Sequence, residues 1–256
     1  MTMFLFYKEY TVSYKTLLIG LLGLSMIGGC GQKTTAPAAG PASSQNNAAQ
    51  ATINPTADVS GVDLSKWQGA VDFEKIKAAG KSYVFIRASL GNTYADPDYS
   101  HNIQKARAAG LAAGSYHFYM TDDKPDDQFA NFSKHVSLQS GDLPPVVDIE
   151  KLNKNSLPNT AAELKIFLNM MEKKYGVKPI IYSGENFANE DLKGFSDYPL
   201  WLAEYNKDKT PQLPLDWKHW TFWQHTENGT VAGVEGKVDL DRFNGTQQQF
   251  QDLLIQ

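Results

Sequence analysis

From about residue 58 onward, short apolar runs alternate with segments of helical period. Val59-Ser60-Gly61-Val62-Asp63-Leu64-Ser65 reads as a first strand, with Asp63 near its C-terminal end. Asp72 is placed to cap a short helix over Phe73–Ala79, which Gly80 stops. Tyr83-Val84-Phe85-Ile86-Arg87-Ala88 is a second, buried strand, followed by a helix from about Tyr99 to Ala109 that Gly110 ends. Ala113–Tyr119 is a third strand. Pro125, Phe129, Phe132 and Val136 then fall on one helical segment whose first turn is acidic. The fourth strand, from Val146, carries Asp148 and Glu150. Asn159 or Thr160 caps a helix with Leu164, Phe167, Leu168 and Met171 on its apolar face, and Pro179-Ile180-Ile181-Tyr182 is a fifth strand. Beyond it the rhythm loosens: Leu200–Tyr205, Trp220–His225 and Val238–Asp241 read as strands joined by loop-like connections. Strands alternating with helices predict parallel pairing through right-handed crossovers, so the expected architecture is α/β: a barrel of about eight strands with an incomplete ring of helices.

The amino terminus follows a different pattern. Lys8 and Lys15 precede an apolar run from Leu17 to Ile27 that ends in Gly28-Gly29-Cys30. A basic segment, a short apolar run and small residues at the end describe an export signal, and the run is short for a membrane-spanning helix. Cys30 is the single cysteine of the chain, so no intramolecular disulfide can form. Its place after two glycines resembles a bacterial lipobox, which implies a signal peptide over residues 1–29, lipidation of Cys30, and anchoring to a membrane by the acyl chains. Gly31 follows the cysteine, which resembles sorting to the outer membrane if the host is Gram-negative. Residues 31–57 are rich in Ala, Pro, Gln, Asn, Ser and Thr and poor in large apolar residues, so they read, with Cys30, as a disordered tether over 30–57. The folded domain is expected over 58–256. The net charge of −4 is mild, and no basic stripe points to nucleic acid.

Chemistry concentrates where strands end. On a strand, Asp148 and Glu150 project to one face while Ile149 turns away. Two acids buried side by side raise each other's pKa, which supplies the protonated carboxyl that general acid catalysis requires. Barrel sites lie at the C-terminal ends of the strands. Asp63, Tyr116, Asp148, Glu150, Trp201, Tyr205, Gln224 and Asp239 all fall at or near such ends. Several carboxylates and large aromatic rings around one mouth suit a carbohydrate, with rings stacking on sugars and acids binding hydroxyls or moving protons. His117 reads as a structural, hydrogen-bonded histidine. The five histidines show no metal-ligand spacing, the acids at 122–127 lack the alternation of a calcium loop, and there is no phosphate-binding glycine motif, so no metal or cofactor is expected.

Read together, Gly61–Gln68, Ala109-Gly110-Leu111 with Gly114–Phe118, Val147–Glu150, Trp201–Tyr205, Trp223-Gln224 and Gly236–Phe243 resemble, in order and spacing, the family 25 glycoside hydrolases, the Chalaropsis-type lysozymes. The resemblance implies an irregular, flattened TIM-like barrel with few helices. It also implies hydrolysis of the β-1,4 bond between N-acetylmuramic acid and N-acetylglucosamine in peptidoglycan, by a protein expected to be a monomer. Glu150 falls on the family's general acid, Asp148 on its partner carboxylate, and Asp63 and Asp239 on two further acids. Tyr116, Trp201, Tyr205, Trp223, Gln224 and Arg87 are the expected substrate contacts. Many members have Lys-Ala-Thr-Glu-Gly after the second strand. Here the segment is Arg87-Ala88-Ser89-Leu90-Gly91, which keeps the cation and replaces the acid by Leu90. For Asp148 two roles stay open: a covalent nucleophile, or a group that orients the substrate's own N-acetyl for attack. The alternatives to a muramidase are another hydrolase of N-acetylated glycans, of glucosaminidase or chitinase type, and a wall-binding lipoprotein without catalysis.

Overall fold

The computed structural model describes residues 59–205 and 210–256. The expected signal peptide, Cys30 and the tether lie outside the described residues. Among those residues the strands are β1 (Ser60–Leu64), β2 (Tyr83–Leu90), β3 (Tyr94–Ala95), β4 (Ala112–Phe118), β5 (Val146–Asp148), β6 (Ile180–Gly184), β7 (Leu200–Ala203), β8 (Phe222–Gly229) and β9 (Val238–Phe243). The α-helices are α1 (Phe73–Ala78), α2 (Tyr99–Ala108), α3 (Pro125–His135), α4 (Thr160–Tyr175), α5 (Glu185–Asp191) and α6 (Gln247–Leu253). The sheet runs β1-β9-β8-β7-β6-β5-β4-β2-β3, and β1 also pairs with β2, so all strands but β3 close into a barrel. β3 is a short antiparallel flap on the end of β2. No described helix is long and apolar enough to cross a membrane.

The helices start and stop where the local chemistry dictates. Asp72 accepts from the Lys75 N–H at the start of α1, and Asn159 accepts from Ala162 at the start of α4. Pro125 opens α3. α4 ends at Gly176, whose φ of 73° a side chain with a Cβ rarely adopts. Three elements had no counterpart in the expected pattern: the flap β3, α5 between β6 and β7, and α6. The expected fourth strand also shortens to three residues, leaving Glu150 two positions beyond its end.

Strand direction separates this barrel from an all-parallel one. β1, β2, β4, β5, β6, β7 and β8 pair in parallel, whereas β9 runs antiparallel to both β8 and β1. Parallel strands bring their C-terminal ends to the mouth, and the reversed β9 brings its beginning there. Asp239, the second residue of β9, therefore sits directly across from Asp63 near the end of β1.

Two cores follow from the alternation of side chains. One fills the barrel with Tyr83, Phe85, Tyr116, Val146, Tyr182, Trp201 and Phe222, and Phe250 of α6 closes it against Tyr83 and Phe243. The other lies between the barrel and the helices and includes Val84, Ile86, Phe132, Val147, Ile149, Phe167 and Trp223. The inner core packs large rings against glycines on the neighbouring strand. Tyr83 pairs with Gly61, and Phe85 pairs with Gly114. A Cβ on Gly114 would stand 2.3 Å from Phe85 Cδ1, closer than any real contact.

A bulge between Arg87 and Ser89 breaks the β2–β4 register. An extra residue reverses which face the following side chain takes, so Ser89 meets His117 in the outer layer. There His117 is fully buried and stacked on Phe167. Gln128 Nε2 donates to the Met120 and Asp123 carbonyls, which leaves Gln128 Oε1 to accept from Met120 N–H and from His117 Nε2–H. His117 Nδ1 then accepts from the Ser89 hydroxyl at 2.8 Å. The imidazole is thus a neutral structural group, and burial lowers its pKa to about 4.

Two outcomes follow. Gly114→Ala is expected to cost about 1–3 kcal/mol in urea unfolding, as overpacked cores do. For His117, the folded pKa near 4 lies below the unfolded value near 6.5, so between those values the unfolded chain binds the extra proton. Its contribution to stability is therefore complete above pH 6.5 and is lost as the pH falls toward 4, by about 3 kcal/mol at 1.36 kcal/mol per unit. Unfolding of the parent and of His117→Asn, compared at pH 7 and pH 4.5, should show a smaller loss on acidification in the variant.

Candidate active site

β1, β5 and β9 bring acids to the barrel mouth, and β2, β4, β6, β7 and β8 supply the wall. Asp148 is the last residue of β5, paired with Phe118 on β4 and Tyr182 on β6. It is 6% exposed. Ile149 turns into the outer core, and its N–H donates to the Tyr182 carbonyl. This turn of the chain returns Glu150 to the exposed edge of the mouth, close enough to Asp148 for each carboxyl to influence the other's titration. The strand ends before Glu150, which therefore lies on the segment after β5.

Both carboxyls titrate above the ordinary range. For Asp148 the main cause is burial, followed by the charge of Glu150 and the hydrogen bond to it. The Arg87 guanidinium opposes the shift. For Glu150 burial again raises the pKa, while the hydrogen bond from Asp148 and the charge of Lys151 lower it. The deeper acid, Asp148, is raised further.

A second acid pair faces the first. Asp63 is raised well above its usual value by burial and by the charges of Asp239, Asp241 and Asp148. Asp239 is raised to about 6, chiefly by burial, and a hydrogen bond from Asp63 moderates the rise. Two residues deeper on the same face of β9 lies Asp241, fully buried beside Gly61. Burial and the charge of Asp239 raise its pKa well above the ordinary range, and its Oδ1 accepts from Trp201 Nε1 at 2.8 Å. Among the described residues no group of three His, Cys, Asp or Glu side chains has the arrangement of a metal site.

The aromatic and polar candidates separate into distinct places. Trp201 is 2% exposed, stacked on Phe85 and edge-on to Tyr182 and Tyr116, so it forms the floor under the acids. Tyr116 lines the same inner core, nearly buried. Tyr205, just past β7, is half exposed, and its hydroxyl donates to Gln224 Oε1. Gln224 also accepts from the Tyr182 hydroxyl and donates from Nε2 to Asp63 Oδ2 at 2.6 Å. Arg87 is buried and donates from Nε and Nη2 to Asp96 Oδ2. Trp223 turns the other way: it is 2% exposed, packs in the outer core against Trp220, and donates to the Glu204 carbonyl. The reason is strand alternation: with Gln224 facing inward, its neighbour on β8 must face outward, so Trp223 presents no open ring to a ligand.

Tyr182 and Asp241 belong to this constellation and were absent from the candidates read from the sequence. Tyr182 could have been found by the rule that selected Tyr116, since it lies near the end of a barrel strand. Asp241 has the i, i+2 spacing from Asp239 that puts both on one face. Its depth depends on the direction of β9, which no local pattern reveals.

The geometry is matched by kinship. YegX of Escherichia coli (strain K12) is 35% identical over 199 residues, covering 75% of this chain and 72% of that protein. Lysozyme M1 of Streptomyces globisporus is 30% identical over 211 residues, covering 76% of this chain and 71% of that one. The crystal structure of the bacterial lysozyme from Streptomyces coelicolor superposes with a TM-score of 0.73 at 29% identity, over 78% of this chain and 98% of that one. Residues 62–234 match the model of the glycosyl hydrolases family 25, and with a closed barrel, paired acids at its mouth and these relatives, the chain belongs to that family of glycoside hydrolases.

Proposed function

We propose that this glycoside hydrolase cleaves the β-1,4 bond between N-acetylmuramic acid and N-acetylglucosamine in bacterial peptidoglycan, with Glu150 as general acid and base and Asp148 as its partner. The observation that carries the roles is the placement of Asp148 and Glu150 two residues apart at the end of β5, each raising or moderating the other's titration. Inverting glycosidases hold their two carboxyls roughly 6.5–9.5 Å apart to admit a water, and retaining enzymes with a protein nucleophile about 5–5.5 Å apart across the sugar. Carboxyls two residues apart at one strand end are poorly placed to flank a sugar from opposite faces, which supports the route in which the substrate's N-acetyl oxygen attacks the anomeric carbon.

The proton inventory suits that route. A sugar bound over the mouth removes water from Glu150, the exposed member of the pair, and so raises its proton affinity. On this route Glu150 takes up the proton and delivers it to the leaving glycosidic oxygen. Asp148, now ionised and close to the Arg87 guanidinium, accepts from the N–H of the N-acetyl group and orients its oxygen for attack. A water deprotonated by Glu150 opens the cyclic intermediate. Asp239, ionised above about pH 6, with Asp63 beside it, favours the positive charge that develops at the anomeric centre. Tyr116 and the half-exposed Tyr205 are the proposed sugar contacts, whereas Trp201 and Arg87 act from beneath the surface of the site.

The proposal includes export and anchoring. Lys8, Lys15, the apolar run to Ile27 and Gly28-Gly29-Cys30 support a signal peptide, lipidation at Cys30 and a monomeric enzyme tethered to a membrane of the cell envelope by residues 30–57.

Digestion of purified peptidoglycan followed by borohydride reduction and mass spectrometry tests the bond assignment. Reduced N-acetylmuramic acid at new ends is expected. Reduced N-acetylglucosamine would reassign the enzyme to the glucosaminidase type, and binding without cleavage would leave a wall-binding lipoprotein. Glu150→Gln should lower turnover by about 10²–10⁴-fold with unchanged thermal unfolding, since that is what a positioned general acid contributes. The pH profile of kcat/KM should show an acid limb near pH 6 as Asp239 takes up a proton. Asp239→Asn should be slower at neutral pH and should lack that limb, and a limb unchanged in the variant would remove Asp239 from this role.

A further inference from the structure

Gln224 stands out because every polar atom of its amide is committed to the protein at the centre of the site. It is nearly fully buried on β8. Its Oε1 accepts from Tyr182 on β6 and from Tyr205 after β7, and its Nε2 donates to Asp63 Oδ2 on β1. Phenol hydroxyls donate and a carboxyl oxygen accepts, so the amide has a single satisfactory orientation.

We infer that Gln224 is a positioning residue: clamped by Tyr182 and Tyr205, it engages Oδ2 of Asp63 and thereby reserves the other oxygen for the proton that Asp63 shares with Asp239. The inference rests on the hydrolase reading only for its consequence in turnover, because the proton arrangement is a property of the unliganded barrel. It assigns Gln224 a part other than the sugar contact expected from the sequence.

The chemistry follows from the inventory. A carboxylic acid that accepts at one oxygen through a 2.6 Å bond carries its proton best on the other. Asp63 and Asp239 are paired directly across β1 and β9, so that other oxygen donates to Asp239 and keeps it ionised. The charged and titratable groups facing Asp63 are Asp239 and Asp241 on β9, Asp148 on β5, Tyr83 on β2, Tyr182 on β6 and Tyr205 beyond β7. None of these is a cation, so the Gln224 amide is the donor that favours the ionised form of Asp63 against the three acids. Tyr205 is 50% exposed, which makes it the solvent-facing end of a hydrogen-bonded chain that ends on a buried acid.

The test is a ¹³C NMR titration of aspartate carboxyls in the unliganded protein, with kinetics on peptidoglycan run beside it. In Gln224→Leu the titration of the Asp63–Asp239 pair should move upward by about one pH unit, because a donor to the charged form is lost. kcat should fall about tenfold with KM within about twofold, the pattern of an interaction that acts on the transition state. Tyr205→Phe alters a half-exposed ring outside the core, so it keeps the fold if the leucine variant does not, and it should move the same titration in the same direction by less. Carboxyl titrations that superpose on the parent in both variants would overturn the inference, as would a fall in kcat with an unshifted pH profile. Inactivity of the parent on every peptidoglycan would sink the hydrolase reading and leave the titration result to decide this one.

Discussion

Carboxyls packed together inside a closed barrel cannot all remain ionised, and most of the local design follows from that constraint. At an effective dielectric constant of 20, two unit charges 4 Å apart repel by about 4 kcal/mol. Asp148, Glu150, Asp63 and Asp239 all titrate above the ordinary carboxylate range, and the direction of every shift is upward because burial dominates each one. Asp241 is the extreme case, an acid with no exposure whose one hydrogen bond comes from the indole of Trp201. A site that stores protons in this way is prepared for general acid chemistry near neutral pH.

The framework supplies what the acids need. Inner rings seated on glycines fill the barrel beneath the acids. Phe250 closes the other end through α6. The outer layer fixes strand positions through groups unrelated to chemistry: His117, Ser89 and Gln128 hold β4 and the β2 bulge against α3 by a chain of oriented hydrogen bonds. The Arg87–Asp96 ion pair ties the end of β2 to the segment after β3, and the Lys66 N–H after β1 donates to the same carboxylate. Each side of the barrel wall thus serves a different purpose, and strand alternation decides which residue serves which.

That alternation is also the reason neighbouring residues in a shared motif have unlike fates. Trp223 and Gln224 are adjacent, yet one packs under the helices and the other reaches Asp63. Trp201 lies within the barrel, buried and bonded to Asp241. A motif identifies a strand end, and the pleat then selects the member that faces the site.

Much of the barrel was legible in the chain. Apolar runs of strand length, caps at Asp72 and Asn159, stops at Gly80 and Gly110, and the spacing of Asp148 and Glu150 are local properties that short-range sterics and hydrogen bonding enforce. They fixed the strand–helix order and the clustering of acids at strand ends. What the tertiary structure decided depends on contacts distant in sequence. The reversal of β9 sets Asp239 opposite Asp63, 176 positions earlier in the chain, and sinks Asp241 beneath them. The closure of β1 on β2 and β9 turns a row of strand ends into a ring. The desolvation that raises each pKa exists only once that ring is formed, because burial is a property of the assembled barrel and of no single segment.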